Sequence, residues 1–265
     1  MQDLCDWLLR TPTSLTTAVD DVPMWWRRHC AVTAIFPSTL ARAAVGGFAA
    51  DRIGYAFASG YSEALRALLH EGDPSVAVPT ALCATEEGGA HPRAIATRLL
   101  PIASPGSQGS QNPTGNGWLL RGHKRFVTLG THATRLLIVA SHGTDEAGRN
   151  RLAVVCIPAE RAGVQLHPMP PTPFVPEIPH CTVSLSDVAI TAHEILPGDG
   201  YDRYLKPFRT VEDIHVHAAL LGHAIGAARR WHFPTPVMDE ALALLCALSP
   251  LSAADPRSAA AHIAL

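Results

Sequence analysis

Strand-like segments are confined to the middle of this 265-residue chain, and helix-like segments lie on both sides of them. From about residue 81 to residue 200, short apolar runs alternate with turn segments such as GTDEAGRN, a pattern typical of strands. Outside that range, alanine- and leucine-rich stretches have apolar residues at helical spacing. This order predicts an α+β protein with a helical N-terminal domain (1–80), a small middle β-barrel or β-sandwich domain (81–200) and a C-terminal helical region (201–265).

The longest N-terminal helical stretch follows residue 37 and is rich in alanine and leucine. Ser38 or Thr39 could cap its start, and Gly72 with Pro74 would end it. Each glycine inside a helix costs about 1 kcal/mol relative to alanine, so we expect close helix contacts or a break where glycines occur. The glycines that interrupt this stretch are Gly46, Gly47, Gly54 and Gly60.

A second helical pattern begins at about residue 208, in the segment RTVEDIHVHAALLGHAIGAARRW. Its apolar residues step by three and four and therefore form one helical stripe. Thr210 is a candidate N-cap, and Asp213 three residues later suggests a variant of the capping box. The segment VMDEALALLCAL and the alanine-rich tail predict two more short helices.

Two segments of the middle region are expected to lie outside the interior of a sheet. The proline cluster HPMPPTPFVPEIPH must be a loop or an edge, because proline has no N–H to donate to a central ladder. The run SPGSQGSQNPTGN has the glycine-, serine- and proline-rich composition of a mobile loop.

Composition excludes several classes of protein. With 47% hydrophobic and 17% charged residues the chain can build a packed core, and a net charge of −2 predicts neither nucleic acid nor an anionic membrane as partner. No stretch of about 18 apolar residues indicates a membrane span, and the N-terminus is not of the signal-peptide type, so a cytoplasmic protein is expected. The cysteines form no C-x-x-C pair and are expected to be reduced thiols. They are Cys5, Cys30, Cys83, Cys156, Cys181 and Cys246.

Four segments, in order along residues 40 to 230, resemble a known family. ALCATEEGGAHPR is similar to the family's T-E-x-x-x-G segment, and GWLLRGHKRFVTLGTHATRLLIVA to its G-x-K-x-[WF]-I-[TS] segment. RLAVVCIPAERAGVQL with VSLSDVAITAHEILP resembles the end of the family's β domain, and VEDIHVHAALLGHAIGAARR the first long helix of its C-terminal bundle. Together these segments resemble the acyl-CoA dehydrogenase flavoproteins, in a shortened and divergent form.

The resemblance implies FAD as cofactor and an acyl-CoA thioester as substrate. In that family a carboxylate removes the α-proton while the β-hydride goes to the flavin, whose own chemistry accepts it. The resemblance also implies a partial C-terminal bundle and a homo- or hetero-oligomer, since only the first bundle helix has a counterpart here. The alternative is a non-catalytic subunit or scaffold that pairs with a complete paralogue carrying the FAD.

The resemblance assigns three residues to the cofactor. Thr85 matches a threonine that touches the flavin ring, and Phe126 and Thr128 match an aromatic and hydroxyl pair that flanks it. The alternatives are an ordinary strand-end threonine and an ordinary strand with Phe126 in the core. Glu86 follows in the motif and could serve only as a structural acid. Where the family has Ser-Asp this chain has His91-Pro92, which removes a backbone donor.

Glu212 is the candidate catalytic base. It falls where some branches of the family carry their catalytic glutamate, early on the first bundle helix. The alternative is an acid at the second helical position, favoured only by the helix dipole. Asp213 stands where many members have arginine, and capping would explain that difference. No metal site is expected, since His215 and His217 are two apart on a helix and cannot chelate one ion together.

Overall fold

The computed structural model describes residues 1–73, 77–102 and 117–265, so Pro74 and the predicted loop SPGSQGSQNPTGN lie outside the described residues. The chain divides into two compact units, and the predicted α+β class is confirmed. The helical unit comprises Met1–Ala77, Thr172–Ile178 and Lys206–Leu265, and the β unit comprises Val78–Pro171 and Pro179–Leu205. Helices from both ends of the sequence therefore share one unit.

Seven α-helices occur in the described residues of the helical unit. They are α1 (Gln2–Arg10), α2 (Val22–Thr33), α3 (Thr39–Ala49), α4 (Ile53–Leu68), α5 (Lys206–Arg230), α6 (Thr235–Ala253) and α7 (Ala259–Ile263). Side chains from α1, α3, α5 and α6 meet in one apolar core. At 19 residues, α6 is longer than the short helix expected from the sequence.

The N-terminal helical stretch consists of two helices, because the chain is extended at Ala50 and Arg52 between α3 and α4. The cap predicted at Ser38 is confirmed, since its hydroxyl accepts a hydrogen bond of 3.1 Å from the N–H of Ala41. The second helix ends at Leu68, ahead of the predicted stop at Gly72.

Helices α3 and α5 approach each other until their backbones are in contact. A Cβ added at Gly47 on α3 would lie 1.9 Å from the carbonyl oxygen of Ala219, and one added at Gly222 on α5 would lie 2.0 Å from that of Ala44. Both distances are far below van der Waals contact, so only glycine fits at either position. The expectation of close helix contact at the interrupting glycines is confirmed at Gly47.

A buried charge cluster joins α2, α3 and α4. The carboxylate of Glu63 lies 2.7 Å from Nε of Arg42 and 3.1 Å from Nε2 of His29, and Arg66 approaches it at 3.7 Å. Burial alone would raise the pKa of Glu63, but the hydrogen bonds and charges of His29 and Arg42 hold it below its usual value. This acid is therefore compensated inside the core.

Seven strands form one curled sheet in the described residues of the β unit. They are β1 (Thr80–Cys83), β2 (Arg98–Pro101), β3 (Trp118–Thr128), β4 (Arg135–Thr144), β5 (Asn150–Pro158), β6 (Val164–Pro168) and β7 (His180–Ile190). The order is β1-β4-β2-β3-β7-β6, with β5 paired to β4. The pairing is antiparallel except where β4 meets β1 and β2. Inward side chains of these strands build the core of this unit.

Loops and turns of the β unit follow the local sequence. The GTDEAGRN turn joins β4 to β5, where Oδ1 of Asp145 accepts hydrogen bonds from the N–H groups of Ala147 and Arg149. The proline cluster begins in the edge strand β6, ends at the start of β7 and forms no strand between Pro168 and His180. The prediction of a loop or edge for this cluster is confirmed.

The predicted N-cap of α5, Thr210, is wrong. The chain enters α5 through a π-helical turn at Tyr201–Leu205, and Oδ1 of Asp199 accepts from the N–H groups at the start of that turn. Thr210 is buried inside α5 and caps nothing, and Asp213 lies further along the same helix. Asp199 takes the capping role upstream, so a capping box at Thr210 and Asp213 has no helix end to cap.

One described helix, α6, is long and apolar enough to cross a membrane, a criterion that an ordinary packed helix also meets. Only 17% of its apolar window is buried. Val237 and Leu244 are large exposed apolar residues on this helix. An apolar surface is therefore left uncovered along α6.

Candidate functional site

A buried ion pair joins the TEEGG segment to strand β3. Oε1 of Glu86 lies 2.6 Å from Nζ of Lys124, and the backbone N–H groups of Ala96 and Thr97 donate to the same carboxylate at 2.7 and 3.1 Å. Burial favours a raised pKa for Glu86, but Lys124 and the backbone donors lower it, while burial lowers the pKa of Lys124. Glu86 thus acts as a structural acid.

Thr85 lies beside β3, close in the chain pairing to Phe126. The N–H of Arg125 donates a 2.8 Å hydrogen bond to the carbonyl oxygen of Thr85, which places Thr85 beside Arg125, the residue before Phe126. Phe126 has a φ of 52° and lies at a bulge between Lys124 and Val127. A bulky residue rarely adopts a positive φ, so the surrounding strand pairing must hold it there.

The bulge determines which β3 side chains are exposed. Lys124 and Val127 are buried, whereas Phe126 is 54% exposed and Thr128 is half-buried. The alternative that places Phe126 in the core is therefore wrong. Within the described residues, the hydroxyls of Thr85 and Thr128 have no hydrogen-bond partner. The β unit thus presents one exposed aromatic ring near two uncommitted hydroxyl groups.

His91 and Pro92, which differ from the family pattern, form a structural turn. Nδ1 of His91 accepts a hydrogen bond from the N–H of Arg93 at the start of a short 3₁₀ turn. The amide of Asn150, at the start of β5, donates to the carbonyl oxygens of Pro92 and Ile95, both at 3.0 Å. These contacts anchor the turn to the sheet and give it no evident ligand-binding group.

Glu212 in the helical unit has the electrostatic character of a general base. It is half-buried on α5, and burial, followed by the charge of Asp213, raises its pKa to about 7. No hydrogen-bond or ion-pair partner of its carboxylate exists among the described residues. Such a carboxyl group can hold or release a proton near neutral pH.

The surroundings of Glu212 are apolar one turn away in both directions. Phe208, four residues earlier, packs edge-on against the ring of Tyr61 on α4 at 6.2 Å between centroids. Val216, four residues later, lies against Gly60 of α4, where an added Cβ would come within 2.6 Å of the Val216 Cα. Close packing of α4 against this face of α5 supplies the burial that raises the pKa.

The helix-dipole alternative for Glu212 is wrong. Glu212 lies six positions after Lys206, the first residue of α5, and the helix dipole acts on the first turn only. Moreover, a helix N-terminus would lower the pKa of a carboxyl group, whereas that of Glu212 is raised. Sequence reasoning missed this because it placed the start of the helix too late.

The helix histidines have structural partners. Nδ1 of His215 donates to the carbonyl oxygen of Val211 at 2.7 Å, and its Nε2 then accepts from the Thr39 hydroxyl at 2.9 Å. Nδ1 of His217 donates to the carbonyl oxygen of Asp213. Across the described ranges, no group of three His, Cys, Asp or Glu side chains could hold a metal ion.

Comparisons with known proteins show which proteins this chain resembles. A scan against family models matches residues 81–188 to "Acyl-CoA dehydrogenase, middle domain". This segment therefore resembles the middle domain of the acyl-CoA dehydrogenases. The whole described chain has an acyl-CoA dehydrogenase-like fold, as the sequence resemblance predicted. A search of curated proteins gives no match.

Solved structures support the same fold at low sequence identity. The butyryl-CoA dehydrogenase of Megasphaera elsdenii is 15% identical, with 95% of this chain and 75% of that one covered at a TM-score of 0.62. The prolyl acyl carrier protein oxidase AnaB is 17% identical, with 86% and 66% covered at 0.62. An FAD-dependent dehydrogenase is 14% identical, with 86% and 65% covered at 0.65. The chain spans slightly less than two thirds of the length of the last two proteins.

Proposed function

We propose that this protein is an FAD-dependent oxidoreductase that introduces a double bond between Cα and Cβ of an acyl-CoA thioester. One observation carries the proposal: Glu212 is an unpaired, half-buried carboxyl group with a pKa raised to about 7. By the sequence resemblance, it lies where some branches of the family carry their catalytic base. Removal of an α-proton requires a base of this kind. The middle-domain match and the similarity to a butyryl-CoA dehydrogenase structure support the choice of substrate class.

In the proposed reaction, Glu212 accepts the α-proton of the thioester on a carboxylate oxygen. Its ionised form is only partly populated near neutral pH, but its raised pKa makes it a stronger proton acceptor than an exposed glutamate. Helix α4 packs against the side of α5 that carries Phe208 and Val216 and limits the access of water to it. This packing therefore helps to desolvate the base.

The β unit offers groups that fit a flavin ring. The exposed ring of Phe126 offers a flat apolar face, and the hydroxyls of Thr85 and Thr128 are free to donate to ring heteroatoms. When bound, FAD would supply the hydride acceptor of the reaction. Two further observations support a flavin: one similar structure is described as an FAD-dependent dehydrogenase and another as FMN-bound TdsC from Paenibacillus sp. A11-2.

The test combines a visible spectrum with one substitution. We expect the purified protein to show flavin absorbance and to reduce an electron-accepting dye when an acyl-CoA is added. Glu212→Gln keeps the size and hydrogen bonding of the side chain but removes the proton acceptor, so dye reduction should fall by about 10²–10⁴-fold with flavin content unchanged. Glu240→Gln, an exposed substitution on α6, serves as the control and should keep full activity.

The outcomes separate the base from the cofactor. If the wild type is active and Glu212→Gln retains that activity, Glu212 is not the base. If Phe126→Ala loses flavin while Phe233→Ala, a change at an equally exposed phenylalanine of the helical unit, keeps it, the exposed aromatic ring contributes to cofactor binding. Flavin retained at wild-type level by Phe126→Ala would remove that role.

The second candidate is a non-catalytic subunit that pairs with a complete acyl-CoA dehydrogenase paralogue. The uncovered apolar surface of α6, with Val237 and Leu244 exposed at 45% and 51%, favours it, because such a surface usually marks an interface. Colourless protein that shows no acyl-CoA-dependent dye reduction, even after incubation with FAD, would favour this subunit over the enzyme.

A further inference from the structure

Two cysteines that are far apart in sequence meet in the helical unit. Cys5 lies on α1 and Cys246 on α6, and their sulfur atoms are 3.8 Å apart. Cys246 is exposed and Cys5 is half-buried, and both are free thiols. A disulfide bond is about 2.05 Å long, so closure needs a sulfur displacement of less than 2 Å. Side-chain rotation and a small shift of a terminal helix can supply that movement.

Helix α1 depends on tertiary contacts for its stability. It has nine residues, fewer than an isolated helix needs to be stable in water. Leu4 and Leu8 anchor it in the same core as Leu245 of α6, and Arg229 of α5 donates to the carbonyl oxygens of Leu8 and Thr11 at its end. A covalent link to α6 would add to the few contacts that hold α1 in the helical unit.

We propose that Cys5 and Cys246 form a redox-active thiol pair that joins α1 to α6 through a reversible disulfide. The oxidant is a low-molecular-weight disulfide such as oxidised glutathione. The exposed thiolate of Cys246 attacks it and releases one reduced glutathione, and the thiolate of Cys5 then attacks the mixed disulfide and releases the second. Two protein thiols are oxidised and one glutathione disulfide is reduced to two thiols, and the two protons lost by the protein thiols are taken up by the two released glutathione thiolates.

The order of attack follows from exposure. Burial, together with the hydrogen bond to Cys246, raises the pKa of Cys5, so less of it is thiolate at neutral pH. Cys246 lies on the open side of α6 and can be reached by a small disulfide. Cys5 then needs to reach only the neighbouring sulfur, a step made efficient by the 3.8 Å separation.

The test is oxidation of the full chain with oxidised glutathione, followed by peptide mapping under non-reducing conditions. We expect a linked peptide containing Cys5 and Cys246, with a protein mass lower by about two hydrogens. Because the bond closes a very long loop, the oxidised protein should melt on the order of 5 °C higher, and a reducing agent should reverse the shift.

Three variants make the result specific. Cys5→Ser and Cys246→Ser should each abolish the linked peptide and the melting shift, and Cys246→Ser should also accumulate less mixed disulfide than Cys5→Ser. Cys30→Ser, a half-buried cysteine of the same unit, should behave as wild type. The proposal is overturned if oxidation yields no Cys5–Cys246 peptide, or if the linked protein melts at the same temperature as the reduced one.

Discussion

Three partly or fully buried glutamates differ in whether a nearby positive charge compensates them. That difference distinguishes structural carboxylates from a candidate catalytic one. Glu63 meets His29 and Arg42, and Glu86 meets Lys124, so the pKa of each is held low despite burial. Glu212 has only the like charge of Asp213 beside it, and burial raises its pKa to about 7. An uncompensated acid reduces stability, which marks Glu212 as a functional residue on physical grounds.

The raised pKa of Glu212 predicts opposite effects of pH on activity and stability. Acyl-CoA-dependent dye reduction should rise as pH increases through about 7, because the base works in its ionised form. The folded state binds this proton more tightly than the unfolded state, whose pKa is near 4.5, so the stability from this group is fully present below pH 4.5 and is lost as pH rises through about 7.

Comparison with Glu212→Gln isolates that effect. Urea unfolding at a series of pH values should show the free energy of unfolding of the wild type falling, relative to the variant, between pH 4.5 and about 7. Parallel pH profiles for the two proteins would contradict a raised pKa at this carboxyl group.

Among the elements, the crossing of α3 and α5 is the most constrained contact in the helical unit. Gly47 and Gly222 let each backbone meet the carbonyl groups of the other helix, and neither position has room for a methyl group. The crossing in turn places α5 against α4 near Gly60, which sets the surroundings of Glu212. A change at the crossing is therefore expected to affect the candidate base as well as the fold.

Gly222→Ala should lower the free energy of unfolding by about 1–3 kcal/mol or more, because the new methyl group meets backbone atoms that cannot rotate away. The better helix propensity of alanine offsets about 1 kcal/mol at most. Urea denaturation measures the change. Ala224→Ser, an exposed substitution two residues along α5, should stay within about 0.5 kcal/mol of wild type. Equal stability of the Gly222→Ala variant would show that the two helices can separate freely.

At the scale of the whole molecule, the uncovered apolar surface of α6 predicts association. We expect the purified chain to self-associate or to bind a paralogue through the helix that carries Val237 and Leu244. Leu244→Lys places a charge in that surface and should weaken self-association at least about tenfold, since burying an unpaired charge costs several kcal/mol. Light scattering after size-exclusion chromatography measures it.

The control for association is Ala224→Lys, which adds the same charge at an exposed position of α5. It should leave the association state as in wild type. A wild type that stays monomeric at all concentrations and binds no paralogue would contradict the prediction that α6 forms an interface.

Features that depend on neighbours in sequence were predictable from the sequence. The α+β order follows from side-chain periods of two and of 3.6 residues, which are local. The cap at Ser38 and the turn at Asp145 rest on hydrogen bonds spanning two to four residues. The predicted N-cap at Thr210 is wrong because Asp199 accepts the hydrogen bonds earlier, and a π-helical turn at Tyr201–Leu205 then leads into α5.

The properties of the candidate site were decided by residues far apart in the chain. Lys124 meets Glu86 across 38 positions, and the pairing of β3 with its neighbours produces the bulge that exposes Phe126. Burial raises the pKa of Glu212 only once α4 has packed against α5, and the thiols of Cys5 and Cys246 meet across 241 positions. Periodicity and local motifs carry no distance information over such separations, so only the tertiary structure could decide them.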